Sequence, residues 1–306
     1  MASVACIGEC MIEMHERPDG LFARGFGGDT LNTALYMARL GVAVDYVTAL
    51  GDDGWSDELI ADWRAEGIGT THVARIAGAL PGLYVIQTDE RGERRFSYWR
   101  DNAPVRQLFA GPPGEALVET LSRYDLLYLS GITLSLYDDA GRARLFEAAA
   151  RCRGNGGQCA FDSNFRPRGW PDRAKANACY RQAFDAADIL LASSEDLNLL
   201  FGASGVEEFL ARKMPSERVL KSDGPSCRVI GGGVDVAIAA PAVPAVDTTA
   251  AGDSFAAAYL AARLAGASLQ DSVRAGHRLA GTVVQYPGAI IPRSAMPDII
   301  VLETGT

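Results

Sequence analysis

The stretch VDTTAAGDSFAAAYLAARLAG, residues 246–266, sets two carboxylates, Asp247 and Asp253, at either end of a run of hydroxyl and small side chains and follows them with a helical pattern. The first turn of a helix exposes backbone N–H groups with no internal acceptor and carries the positive end of the helix dipole, so it attracts anions. Asp253 would lie beside that anion site, where a carboxylate can accept a proton. The side chains of Ala250, Ala251 and Gly252 are small enough to let the backbone approach an anion closely. In isolation the same residues also read as a plain cap on a tight turn, because Asp is a favoured N-cap and Ala and Gly suit strand-to-helix corners.

The elements that must position these residues follow from periodicity. VACIGE is a short apolar run ending at Gly8, a buried first strand; DTLNTALYMARLG carries Leu31, Ala34, Leu35 and Ala38 at helical spacing, with Asp29 as N-cap and Gly41 as the stop. VDYVTALG and GWSDELIADWRAEGI continue the alternation as strand and helix. It breaks at GLYVIQTDERGERRFSYWRD, which reads as two strands around a turn at Glu90 to Gly92, and resumes with strands at YDLLYLSG, GQCAFDSN, ADILLAS and ERVLKSDG. A hairpin at glycines 231–233 and two closing helices complete the chain. Strands alternating with helices imply an α/β fold, a mostly parallel central sheet with helices on both faces, and ligands at the carboxyl ends of the strands. The β-rich interruption forms a lid, drawn from roughly residues 9–25 and 72–101, on a single domain spanning 1–306.

Bulk properties narrow the function. A chain of 306 residues with 48% hydrophobic composition has ample core. A net charge of -9 and a pI near 4.9 argue against nucleic-acid or anionic-membrane partners, which need a positive field. With no signal-peptide pattern and no long apolar segment, a cytoplasmic location is expected. Six scattered cysteines without a C-x-x-C pair read as reduced, mostly buried thiols, and three histidines far apart make a His-based metal site an unpromising reading. Neither G-x-G-x-x-G at the first β-α unit nor a G-x-x-x-x-G-K-[ST] loop is present, so dinucleotide and P-loop binding lose their usual anchors.

GGDTLNTALYMARLG followed by GDDG resembles the N-terminal signature of the ribokinase-like, or PfkB, carbohydrate kinases, and DTTAAGDSF resembles their C-terminal signature, with Ala250 in place of a glycine. GECMIEM, PGLYVIQTDERGERRFSYWRD, FDSNFRPRGW and VVQYPGAIIP are most similar to the subfamily acting on 2-keto-3-deoxygluconate. The likeness covers nearly the whole chain. It implies a ribokinase-like three-layer sandwich and phosphoryl transfer from ATP, with Mg2+, to a sugar hydroxyl. It also implies a homo-oligomer joined through the lid strands.

The resemblance assigns roles residue by residue. Asp253 matches the catalytic base, and the amides of Ala250, Ala251, Gly252 and Asp253 the anion hole; Ala250 fits if its φ is negative. Asp247 would support the turn or a monovalent cation, or simply bond local N–H groups. Gly28, Asp29 and Asn32 match the positions that bind acceptor hydroxyls. Tyr84 and Tyr98 on the lid, with Arg100 and Arg166, match the sugar-acid subfamily, whose substrate carboxylate suits paired guanidinium hydrogen bonds. Lys221, Ser222 and Gly224 match nucleotide-contacting positions. The family's N-x-x-E motif falls on Ser193, Ser194, Glu195 and Asp196, leaving Glu195 or Asp196 to organise Mg2+, although acids after Ser194 also suit a helix start. The same chemistry on fructose, ribose or a keto-deoxygalactonate, and a non-catalytic sugar sensor on the same fold, are the alternative readings.

Overall fold

The computed structural model describes residues 2–17, 19–88, 94–213, 217–222 and 224–299. The chain opens with β1 (Ser3–Ile7), β2 (Met11–Glu16), β3 (Phe22–Gly27), α1 (Asp29–Arg39), β4 (Ala43–Gly51), α2 (Gly54–Ala65), β5 (Val73–Ile76), β6 (Gly82–Thr88) and β7 (Arg94–Trp99). It continues with α3 (Gly111–Leu121), β8 (Leu126–Ser130), α4 (Gly131–Leu136), α5 (Asp139–Gly154), β9 (Gln158–Asp162), α6 (Arg173–Ala186), β10 (Ile189–Ser193), α7 (Ser194–Phe201) and α8 (Gly205–Ala211). It closes with β11 (Glu217–Ser222), β12 (Ser226–Gly231), β13 (Val234–Ala239), α9 (Ala251–Leu264) and α10 (Leu269–Val283).

Nine strands form one sheet in the order β13, β12, β11, β10, β9, β8, β1, β4, β5. From β5 to β11 neighbours run parallel, and only β12 and β13 run antiparallel. Strands buried on both faces show it in their side chains. Ala5 and Ile7 of β1 pack with α3, α5 and α6, whereas Val4 and Cys6 of the same strand pack with α1, α2, α9 and α10. The period-two alternation thus splits one apolar run between two cores, giving helix, sheet and helix layers.

The second sheet has the order β3, β2, β6, β7 and is mixed, β2 and β6 being parallel. It has its own small core of Met11, Tyr84 and Ile86 with Tyr98 against them. One segment expected in the lid goes elsewhere: Val73–Ile76 pairs with β4 and edges the large sheet. The turn expected at Glu90 to Gly92 lies outside the described residues. Gly232 and Gly233, at φ +53° and +82°, make the two-residue turn between β12 and β13, a backbone that glycine adopts without cost. Among the described residues no helix is long and apolar enough to cross a membrane.

Candidate active site

The first turn of α9 is the site's floor. Ala250 caps the helix in the left-handed region, at φ +60° and ψ +14°. The expectation of a negative φ there is therefore wrong; the corner needs a left-handed residue, for which the signature's glycine is the unstrained choice and alanine costs about 1–2 kcal/mol. Asp253 is not the cap but the third residue of the helix. The Ala251 amide turns back to Thr248 O at 3.2 Å, and Ser254 bonds Ala250 O at 2.9 Å. The Ala250, Gly252 and Asp253 amides have no acceptor among the described residues, so three of the four amides expected of the anion cradle stand free and only that of Ala251 is spent. A Cβ on Gly252 would stand 3.6 Å from Lys221 Nζ, inside the cradle. Asp247 holds the corner: it accepts from Thr249 N at 2.8 Å and from Gly288 N at 3.0 Å.

Asp253 faces the start of α1. Asn32 Nδ2 donates to Asp253 Oδ2 at 2.8 Å, and Thr33 Oγ1 reaches Asp253 O at 3.2 Å, stitching the two helix starts together. Burial first, and the Asp29 carboxylate second, push the Asp253 carboxyl up to about 8, against the opposing Asn32 hydrogen bond. Asn32 is 5% exposed, and its buried Oδ1 has no partner among the described residues, an acceptor waiting for a donor. Asp29 is the first helical residue rather than the N-cap, a position taken by Gly28. Only glycine fits at 28, since a Cβ would sit 2.1 Å from Glu9 O. The Asp29 carboxylate accepts from Asn164 Nδ2 at 2.8 Å.

The back wall comes from the carboxyl ends of β9, β10 and β11, where a parallel sheet presents its ligands. Asp162, buried at the end of β9, pairs with Lys221 Nζ at 2.8 Å. Burial pulls the Lys221 ammonium down, but the Asp162 charge, its hydrogen bond and the Asp196 charge together outweigh burial and raise it above its ordinary value. Lys221 is thus held charged next to Gly252. Ser193 caps α7 by accepting from Asp196 N, and the buried Asp196 carboxylate accepts from Ser163 Oγ at 2.6 Å and lies 3.6 Å from Arg166. Glu195 and Ser222 line the same cleft of about 530 Å³, whereas Gly224, at φ +76°, serves the turn after β11 and is not among its walls.

Lid residues roof the cleft. Tyr84 and Tyr98 line it with ring centroids 5.9 Å apart, the Tyr84 hydroxyl being committed to Glu13. Through Gly28, Asp29, Tyr98 and Arg166 the cleft adjoins a second cavity of about 440 Å³. Arg100 lines that cavity with its guanidinium paired to the buried Glu9 carboxylate. Burial pushes Glu9 up to about 7, with Arg100 and then Arg106 pulling it back. The structure thus brings together Gly28, Asp29, Asn32, Tyr84, Tyr98, Arg166, Lys221, Ser222 and residues 250–253 in the cleft. Sequence reasoning passed over Glu9, Asp162, Asn164 and Arg168; the signal for Asp162 and Asn164 was polar residues directly after a buried strand, FDSN, where ligands are expected.

The profile of the pfkB family of carbohydrate kinases matches residues 1–296. The 2-dehydro-3-deoxygluconokinase of Dickeya dadantii is 44% identical over 306 residues, covering 96% of this chain and 98% of its own. Among solved structures, the 2-dehydro-3-deoxygluconokinase of Thermotoga maritima superposes with a TM-score of 0.83 at 21% identity, over 95% of this chain and 96% of that one. The ATP-bound fructokinase of Xylella fastidiosa gives 0.79 at 24% identity, over 97% and 95%. Both share the three-layer fold.

Proposed function

This chain belongs to the pfkB family of carbohydrate kinases, and from that premise we propose that it transfers the γ-phosphoryl group of ATP to the C6 hydroxyl of 2-keto-3-deoxy-D-gluconate, also called 2-dehydro-3-deoxygluconate, giving the 6-phosphate. The observation that carries the reading is a carboxylate, Asp253, held by Asn32 in the first turn of α9 beside the Ala250, Gly252 and Asp253 amides, which have no acceptors among the described residues. Identity of 44% over nearly the whole chain to a kinase of that name supports the substrate.

In this reading Asp253 takes the proton of the C6 hydroxyl as the oxygen attacks phosphorus. The Gly252 and Asp253 amides and the Lys221 ammonium meet the negative charge on the phosphoryl oxygens. Asn32 Oδ1, buried with no donor among the described residues, accepts from a substrate hydroxyl, and Asp29 and the Gly28 backbone hold others. Tyr84 and Tyr98 close over the sugar and exclude water that would hydrolyse ATP. Arg166, with Arg100 beside the Glu9 carboxylate, forms the basic end for the substrate's carboxylate. No three His, Cys, Asp or Glu side chains converge on a metal site among the described residues, so Mg2+ would arrive with the nucleotide phosphates. Of the two acids at the start of α7, Asp196 already faces Arg166, which leaves Glu195 to meet it. Bound there, the ion neutralises phosphate charge.

The edge strands of the lid, β3 and β7, carry exposed Phe22 and Trp99, 46% and 60% accessible, and we assign them to a homo-oligomer contact in a cytoplasmic enzyme. A monomer in sedimentation at micromolar concentration would remove that contact. The activity is tested by incubating the protein with ATP, Mg2+ and a panel of 2-keto-3-deoxygluconate, its C4 epimer, fructose and ribose. The largest kcat/KM is expected for 2-keto-3-deoxygluconate; a larger value for either neutral sugar would overturn the substrate.

A further inference from the structure

Arg168 stands apart from the other guanidinium groups at the basic end of the site, and we infer that it is a specificity-determining residue that binds the substrate's carboxylate together with Arg166. The inference rests on the reading of the substrate as a sugar acid.

Charge bookkeeping in the second cavity carries it. Its walls include Arg100, Arg106, Arg166 and Arg168. Arg100 is neutralised by buried Glu9. Arg106 has no ion pair among the described residues either, but its Nε and one Nη are turned to the backbone, donating to Arg100 O and Leu136 O, both at 3.2 Å. Arg166 shares Asp196 at 3.6 Å and donates to Phe165 O at 2.9 Å. Among the described residues Arg168 makes neither an ion pair nor a hydrogen bond; its contact is the ring of Tyr98, with the guanidinium carbon 5.1 Å from the centroid. A contact over an aromatic face takes up none of the guanidinium's N–H donors, so they stay available for a carboxylate, which a guanidinium can grip bidentately.

The backbone fixes the base of the Arg168 side chain, which is itself exposed. Arg168 sits in the 3-10 turn Pro167–Gly169, two residues from Arg166. A Cβ on Gly169 would lie 2.8 Å from Ser135 Oγ, so the turn is pressed onto α4. The next residue, Trp170, is buried against Tyr180, with ring centroids 5.9 Å apart. Arg168 therefore belongs to the rigid body of the protein, whereas Tyr98 belongs to the lid. A carboxylate held by Arg168 is bound where lid and body meet.

Arg168→Met keeps an unbranched stem for the Tyr98 ring and removes the guanidinium; Arg168→Lys keeps the charge. With ATP saturating, KM for 2-keto-3-deoxygluconate is expected to rise about 10- to 100-fold in Arg168→Met, the size of a lost charge-assisted hydrogen bond. Arg168→Lys should lose less, and kcat and the ATP KM should stay within about threefold in both. Methylguanidinium should restore part of the affinity to Arg168→Ala. An Arg168→Met protein with wild-type melting temperature and an unchanged sugar-acid KM would overturn the inference while leaving the kinase reading standing. Wild-type protein that phosphorylates only neutral sugars would remove the substrate reading, and the inference with it.

Discussion

A carboxylate that takes a proton from an alcohol near neutral pH must bind protons more tightly than a solvated aspartate, and burial next to Asp29 does this to Asp253. The arrangement costs stability. The folded carboxyl titrates at about 8 against 3.8 unfolded, so the unfolded chain sheds a proton that the folded chain keeps, and the fold loses stability as pH rises between those values. Asp253→Asn has nothing to titrate there and can still accept from Asn32. Relative to wild type it should therefore gain stability across that window, by at most about 1.4 kcal/mol per pH unit, with the gain levelling off above about pH 8. Thermal melts of both proteins from pH 5 to pH 9 check this; a constant difference would mean that the carboxyl is not strained. Asp253 itself was legible from sequence because a signature surrounds it. Glu9 was not, because its meaning lies in a long-range pairing with Arg100, across the chain from the first strand to the lid.

Helix starts are the elements that build the site, and each relies on a small residue for a different reason. At α1 the constraint is space: Gly28 has the Glu9 carbonyl where a side chain would go, which is also why Asp29 slides one place into the helix from its expected capping position. At α9 the constraint is dihedral, since Ala250 lies at φ +60°. Periodicity located both helices but could not reveal the sign of φ at one residue, and so alanine looked harmless. Ala250→Gly should relieve the left-handed strain, offset in part by the entropy of glycine in the unfolded chain, for a net gain of about 0.5–1 kcal/mol in urea unfolding. A loss of stability would show that the corner tolerates Ala250 without strain. The β5 segment shows the other limit of local reading: a short strand carries no mark of which sheet it joins, and pairing with β4 decided it.

At the scale of the molecule, the alternation of strands and helices was enough to foresee a parallel sheet, two helical layers and a site at the carboxyl ends, because burial on both faces writes continuous apolar runs into the sequence. What it could not supply was the convergence of the β9, β10 and β11 ends with the starts of α1 and α9, segments as distant as Asn32 and Asp253 that meet at 2.8 Å. That convergence is the account's centre, and it is tested most directly by initial rates of phosphoryl transfer from ATP to 2-keto-3-deoxygluconate for wild type and Asp253→Asn side by side, with sugar affinity measured by calorimetry. The account predicts a fall in kcat of about 100- to 10,000-fold with sugar affinity nearly unchanged. Turnover within tenfold of wild type in a folded Asp253→Asn protein would contradict it.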